Sequence, residues 1–177
     1  KKSQEAYRRI FNLTPALICV AGTDGYFKEL NPEWEKTLGY SIEELKSSPI
    51  TDFIHPADVA TTLKEIEKQV SGGKTARFVN RYRHKDGTYR FLEWNAAPSE
   101  QGNLYASARD ITEQEISEER LQESEQKYKS LFHQSPVSIT IHDKITGEVV
   151  DANRVAYRAY GLNSITEFQN NDFWMES

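Results

Sequence analysis

The chain has 177 residues and sets 22 Lys and Arg against 27 Asp and Glu, a formal charge of −5, which argues against a nucleic-acid partner because phosphates call for a basic face. An apolar share of 37% with nine Tyr, eight Phe and three Trp excludes a disordered chain, and a single cysteine, Cys19, excludes both an internal disulfide and a zinc site with several thiolates. In chain order, residues 3–13 place Tyr7, Ile10, Phe11 and Leu13 among charges, an amphipathic helix that Pro15 ends. Ala16 to Ala21 reads as a buried strand, Thr23-Asp24-Gly25 as a hairpin turn, and Tyr26 to Leu30 as the returning strand. Asn31-Pro32-Glu33 opens a helix, with Asn31 as the expected N-cap, and Gly39 closes it. Ser41-Ile42-Glu43-Glu44-Leu45 is a second short helix with a capping-box start. After His55-Pro56 comes a longer helix whose apolar positions are Val59, Leu63, Ile66 and Val70, stopped by Gly72-Gly73. Phe78 to His84, Tyr89 to Ala97 and Leu104 to Asp110 read as three strands joined by turns at Asp86-Gly87 and Gln101-Gly102.

From Ile111 to about Phe132 the pattern is helical and rich in Glu. Its best a/d set, Gln114, Ser117, Leu121, Ser124, Tyr128 and Leu131, is only half apolar, so the segment reads as a solvated connector or a weak coiled coil. Beyond it the chain repeats itself. Tyr7 aligns with Tyr128, Phe11 with Phe132 and Pro15 with Pro136; Gly25 aligns with Gly147, Asn31 with Asn153 and Gly39 with Gly161, one position further apart. One residue is therefore inserted in the second copy between Pro136 and Gly147, where a hairpin falls.

These residues resemble a known family. Asp24-Gly25, Asn31-Pro32-Glu33-Trp34 and Leu38-Gly39-Tyr40-Ser41 look like the front of a PAS domain. Tyr82 to Arg90 around Lys85-Asp86-Gly87, then Trp94 and Ala108-Arg109-Asp110-Ile111-Thr112-Glu113, look like its back, with Asp110-Ile111-Thr112 resembling the closing motif. The resemblance implies an α+β PAS fold: one five-stranded antiparallel sheet with helices on one face. It covers residues 3–113 as a complete domain, followed by a helical connector at 114–133 and the front half of a second copy at 134–177. It also implies that the Asp110 carboxylate anchors the start of the exit helix.

No nucleophile–base–acid set, phosphate loop or metal-ligating His spacing is present, so no catalytic or metal residue is assigned. No apolar run is long enough to insert in a membrane. Light-sensing relatives use a flavin and a cysteine near the position of Ile50, whereas Cys19 is in the first strand, so thiol-adduct photochemistry is not expected. Haem-binding relatives use a His of the long helix, and residues 57–71 contain none; His55 lies in the turn before it. Trp34 and Trp94 are either walls for a flavin ring or core. The inward sheet face is expected to hold Phe78, Asn80, Tyr82, Leu92, Trp94, Ala96, Leu104, Ala106 and Ala108. Apolar walls with a few polar groups and small alanines are what a small-ligand cavity needs. The expected pocket is Trp34, Phe78, Asn80, Tyr82, Leu92, Trp94, Ala106 and Ala108; filling of that space by Trp94 is the alternative. Arg81, Arg83, Arg90, His84 and Lys85 form a basic cluster read as solvated surface.

The expectation is a non-enzymatic sensory input and relay segment of a longer signalling protein, such as a bacterial histidine kinase or diguanylate cyclase. It lies in the cytoplasm, with membrane tethering of the full-length protein left open. Asp110, Ile111 and Thr112 would carry the signal to an effector domain of the same polypeptide. A homodimer is expected through Tyr7, Ile10 and Phe11. No cofactor is expected; an unidentified small molecule is allowed for. The alternatives are a ligand-free docking module and a haem or flavin sensor.

Overall fold

The computed structural model describes residues 2–98 and 103–169. The predicted turn at Gln101-Gly102 and the last eight positions of the second copy lie outside the described residues. The chain divides into two compact units, Lys1–Ile116 and Ser117–Ser177.

The first unit begins with α1 (Lys2–Leu13), β1 (Leu17–Ala21) and β2 (Phe27–Leu30). Helices α2 (Glu33–Leu38) and α3 (Ile42–Ser47) follow, then two short 3-10 turns, Ile50–Phe53 and Pro56–Asp58, and α4 (Val59–Val70). Strands β3 (Thr75–Arg83), β4 (Tyr89–Pro98) and β5 (Leu104–Asp110) complete it. The sheet order is β2-β1-β5-β4-β3 with every neighbour antiparallel. The last strand in sequence thus lies at the centre, between the first hairpin and the last, as strands from both ends of a unit must pair across its middle. Its register sets one inward row: Leu17 opposite Ala108, Ala108 opposite Trp94, Trp94 opposite Phe78.

Trp34 is the centre of the core. It is fully buried, its ring 4.9 Å from Phe27, 5.8 Å from Trp94 and 6.0 Å from Tyr82. Its indole N–H donates to the Ile18 carbonyl at 3.1 Å, which satisfies the one polar atom such a ring brings inside. The capping box of α3 forms as the sequence predicts, the Ser41 hydroxyl accepting from the Glu44 amide and the Glu44 carboxylate from the Ser41 amide.

Two local expectations are corrected. Asn31 does not cap α2, which has no side-chain cap; Pro32, already helical at φ −60°, takes that position. The Asn31 amide turns instead into the interior. Its oxygen accepts from the Ile18 amide at 2.9 Å and its nitrogen donates to the Phe11 and Ala16 carbonyls at 3.0 and 2.8 Å. The buried face of α4 is also rotated from the predicted apolar stripe. Thr62 and Gln69 are buried while Leu63 and Val70 are exposed at 44% and 55%. Polar side chains go inside here because β3 offers them hydrogen bonds, and a paired polar group is tolerated where an unpaired one is not.

Helix α5 (Thr112–Gln134) begins in the first unit and ends in the second. Of its predicted seam, Leu121 and Leu131 are 60% and 65% exposed. The second unit continues with β6 (Thr140–His142), β7 (Val149–Ala152), α6 (Arg154–Ala159) and α7 (Ile165–Gln169), over a small core of Ala152, Ala156 and Phe168.

Candidate functional site

A cavity of about 60 Å³ opens between the sheet of the first unit and α4. Its apolar wall includes Cys19, Phe27, Ile66, Phe78, Leu104 and Ala106. Phe78, Asn80, Tyr82, Trp94 and Ala106 of the predicted pocket line it. Trp34, Leu92 and Ala108 do not: they are buried in the solid core around the Trp34 ring. Trp94 occupies part of the space that the alanines leave, and room remains beside Ala96 and Ala106.

The polar wall comes mainly from α4, which the sequence reading missed. Thr62, Glu65, Ile66 and Gln69 follow the three- and four-residue spacing of one helix face. Two hydrogen-bonded chains tie that face to the sheet. In the first, the Trp94 indole donates to Asn80 Oδ1 at 2.7 Å, the Asn80 amide donates to Thr62 Oγ1 at 3.0 Å, and the Thr62 hydroxyl donates to the Asp58 carbonyl at 2.8 Å. In the second, Gln69 Nε2 donates to Thr75 Oγ1 and the Thr75 hydroxyl donates to Glu65 Oε1, both at 2.6 Å. The signal available in the sequence was a helix with Thr, Glu and Gln at one spacing opposite Asn80 and Thr75, but only pairing partners distinguish such a face from a solvated one.

Burial shapes the acid–base character of the wall. It pushes the Cys19 thiol up to about 12 and the Tyr82 phenol well above its ordinary value, so both stay neutral. The hydroxyl of Thr75 and the ammonium of Lys68 lower the Glu65 carboxyl, which stays ionised. At the head of α4, Asp58 takes a two-pronged ion pair from Arg81, Nε to Oδ2 at 2.8 Å and Nη2 to Oδ1 at 2.6 Å, which holds its carboxyl below the usual range. Two members of the basic cluster are paired, Arg81 with Asp58 and Lys85 with Glu44 at 2.8 Å.

The junction predicted at Asp110-Ile111-Thr112 is built from four hydrogen bonds. Asp110 Oδ1 accepts from both the amide and the hydroxyl of Thr112. The Ile111 amide donates to the Phe91 carbonyl and the Phe91 amide donates to Thr112 Oγ1, both at 2.9 Å. The first residues of α5 are thus fastened to β4, the strand that also sends Trp94 and Ala96 to the cavity.

The rings of Trp34 and Trp94 lie 5.8 Å apart at 44°. His55 Nδ1 accepts from the Ala57 amide at 3.1 Å and its ring lies edge-on to Tyr89, the role of a turn residue. Among the described residues no group of three or more His, Cys, Asp or Glu is placed to hold a metal ion, and no helix is long and apolar enough to cross a membrane.

This five-stranded antiparallel sheet with its helices and a small interior cavity defines an α+β module. Residues 27–106 match the family model of the PAS fold and residues 126–176 that of the PAS domain; the chain belongs to the PAS family. PAS domains are sensory, non-catalytic modules, and a role in sensory signalling follows for this chain. A curated relative, the uncharacterized protein y4lL of Sinorhizobium fredii, is 28% identical over 151 residues, 82% of this chain and 18% of that protein. The solved PAS domain of a Colwellia psychrerythraea protein aligns with a TM-score of 0.56 at 25% identity, over 63% of this chain and 98% of that one. A domain of a sensory box sensor histidine kinase/response regulator from Geobacter sulfurreducens has the same fold, with a TM-score of 0.56 at 19% identity over 61% of this chain and 94% of that one. The chain spans less than a fifth of the length of the curated relatives it matches, 18% and 14%.

Proposed function

We propose that this chain is the sensory input and relay segment of a larger signalling protein of the sensor histidine kinase kind. A small molecule or partner acting on the cavity side of the first sheet changes how β4 packs. The helix that follows Asp110 carries the change to an effector domain of the same polypeptide. The observation that supports this reading is the double role of β4: Trp94 and Ala96 face the cavity while Phe91 holds Thr112 at the head of α5. Physically the relay is a shift between two packings, and it needs a ligand with different affinity for each. The kinase reading leans on the Geobacter neighbour, a domain of a sensor histidine kinase/response regulator; a diguanylate cyclase would use the same input.

The same proposal includes a homodimer through α1. There Tyr7 stacks on Phe11 at 5.6 Å while Ile10 and Leu13 stand 67% and 80% exposed. Ligand-free docking is the second reading, and this apolar edge favours it.

The test is hydrogen exchange on the whole chain carrying Ala106→Leu, which fills the cavity beside Trp94. Relay predicts altered exchange at the Phe91, Thr112 and following α5 amides. Changes confined to the cavity wall would defeat it and leave docking. Sedimentation of the chain and of Ile10→Asp checks the dimer, which the substitution is expected to dissociate. A visible absorption spectrum of the purified protein checks the cofactor alternatives, with no Soret or flavin band expected.

A further inference from the structure

The hydrogen-bond roles around Glu65 are fixed by chemistry. A carboxylate only accepts, so the Thr75 hydroxyl must spend its hydrogen on Glu65 Oε1. Thr75 then has only lone pairs for Gln69, which therefore presents Nε2 to it and keeps its amide oxygen free. Neither Gln69 Oε1 nor Glu65 Oε2 has a hydrogen-bond partner among the described residues. Gln69 is only 6% exposed and lines the cavity. No fully enclosed side-chain polar atom among the described residues lacks a partner, so open space reaches both acceptors. Lys68 meets Glu65 Oε1 at 2.9 Å, the two side chains 55% and 21% exposed, so the lysine pairs with the oxygen that Thr75 also uses and leaves Oε2 without a protein partner among the described residues.

Two residues of the lining, Glu65 and Gln69, thus each carry an acceptor that no described protein group takes, one of them charged, and Ile66, Phe78 and Leu104 line the same cavity. We propose that this cavity takes a small cationic hydrogen-bond donor, a short primary amine, with its ammonium on Glu65 and Gln69 and its apolar body against those three side chains. The inference rests on the reading of the cavity as a ligand site. Size narrows it further. A cavity of about 60 Å³ exceeds the roughly 10–15 Å³ needed to admit one water and suits a small molecule only.

Three probes with the same apolar chain separate the possibilities: butylammonium, 1-butanol and butyrate, each titrated into the isotope-labelled whole chain by NMR. Butylammonium is expected to bind best and to shift the Ile66, Gln69 and Thr75 amides. Butanol binds about tenfold more weakly, the loss of one charge-assisted hydrogen bond, and butyrate not at all. Glu65→Gln is expected to weaken butylammonium about tenfold and leave butanol unchanged. Butyrate binding as well as butylammonium, or an unaltered butylammonium affinity in Glu65→Gln, overturns the ligand class while the cavity stands as a site. Xenon pressure on the same sample tests the underlying reading. If xenon shifts the cavity amides and no amine binds, the ligand class fails alone; if xenon does not enter, the site reading fails with it.

Discussion

The first hairpins of the two units are the same object built twice. Cys19 pairs with Leu30, Val20 with Glu29 and Ala21 with Phe27; Thr140 pairs with Ala152, Ile141 with Asp151 and His142 with Val149, with the same irregularity at the same step. The inserted residue lies inside the turn: the Gly22 amide closes on the Tyr26 carbonyl, the Asp143 amide on the Glu148 carbonyl. Both turns need a glycine at positive φ, Gly25 at 81° and Gly147 at 74°. Asn153 repeats the interior amide of Asn31, donating to Phe132 and Val137 and accepting from Ile139. Tyr128 stacks on Phe132 at 5.4 Å as Tyr7 does on Phe11.

Burial separates the two. Cys19 and Val20 are 2% and 6% exposed on a strand flanked by both β2 and β5, whereas Ile141 is 37% exposed on a strand that, among the described residues, pairs only with β7. Where the first unit has Trp34, the second has Ala156. Local hydrogen bonds therefore suffice to shape the hairpin, and remote strands decide how much side chain it can bury.

The strongest way to break the comparison is Trp34→Ala, which empties the centre of the first core. A loss of about 4 kcal/mol is expected in chemical denaturation, with the second unit's amides exchanging as before. The two asparagines come next. Asn31→Ala and Asn153→Ala each leave buried backbone groups without partners, at about 3 kcal/mol. Exchange at Ile18 should accelerate only in the first variant, and at Ile139 and Ala156 only in the second; spread of the effect to both units would mean the clamps are not independent. Smaller still, Asp110→Ala removes the acceptor for Thr112 at the start of α5. It should cost about 1 kcal/mol and speed exchange at Thr112, with no effect at Phe132.

The mildest test is acid. Arg81 lowers the Asp58 carboxyl, and the hydroxyl and amide of Thr88 lower that of Asp86 to about 2. A carboxyl lowered on folding stabilises above its unfolded value, near 3.8, and loses that contribution as pH falls toward its folded value. Stability of the first unit should therefore drop between roughly pH 4 and pH 2, and Asp58→Asn should shrink the drop. An equal drop in that variant would show that the pair does not set the acid response.

Much of the architecture was legible in the residues. The repeat, the turn glycines, the capping box of Ser41 and Glu44 and the inward row of Phe78, Trp94 and Ala108 all follow from local chemistry or from strand alternation. The rule that makes Asn a helix cap shows where such reading stops. It holds at Asn153, whose Oδ1 accepts from Ala156, and fails at Asn31, where Pro32 takes the cap position and the amide serves the interior alone. The polar cavity wall was hidden for a related reason. Thr62, Glu65 and Gln69 look like any solvated helix face until Asn80 and Thr75 meet them.

The sequence by itself determined the strands, most of the helices and their turns, and that the strands from both ends of the unit share one antiparallel sheet, because those depend on backbone preference and on the period of apolar residues; the strand order β2-β1-β5-β4-β3 came only with the fold. Only the tertiary structure decided which side chains surround the cavity, that β4 both lines it and holds α5, and that two acceptors in its wall are left unspent. Those depend on hydrogen-bond partners distant in the chain, and a donor or acceptor carries no mark in the sequence of whether its partner is water or protein.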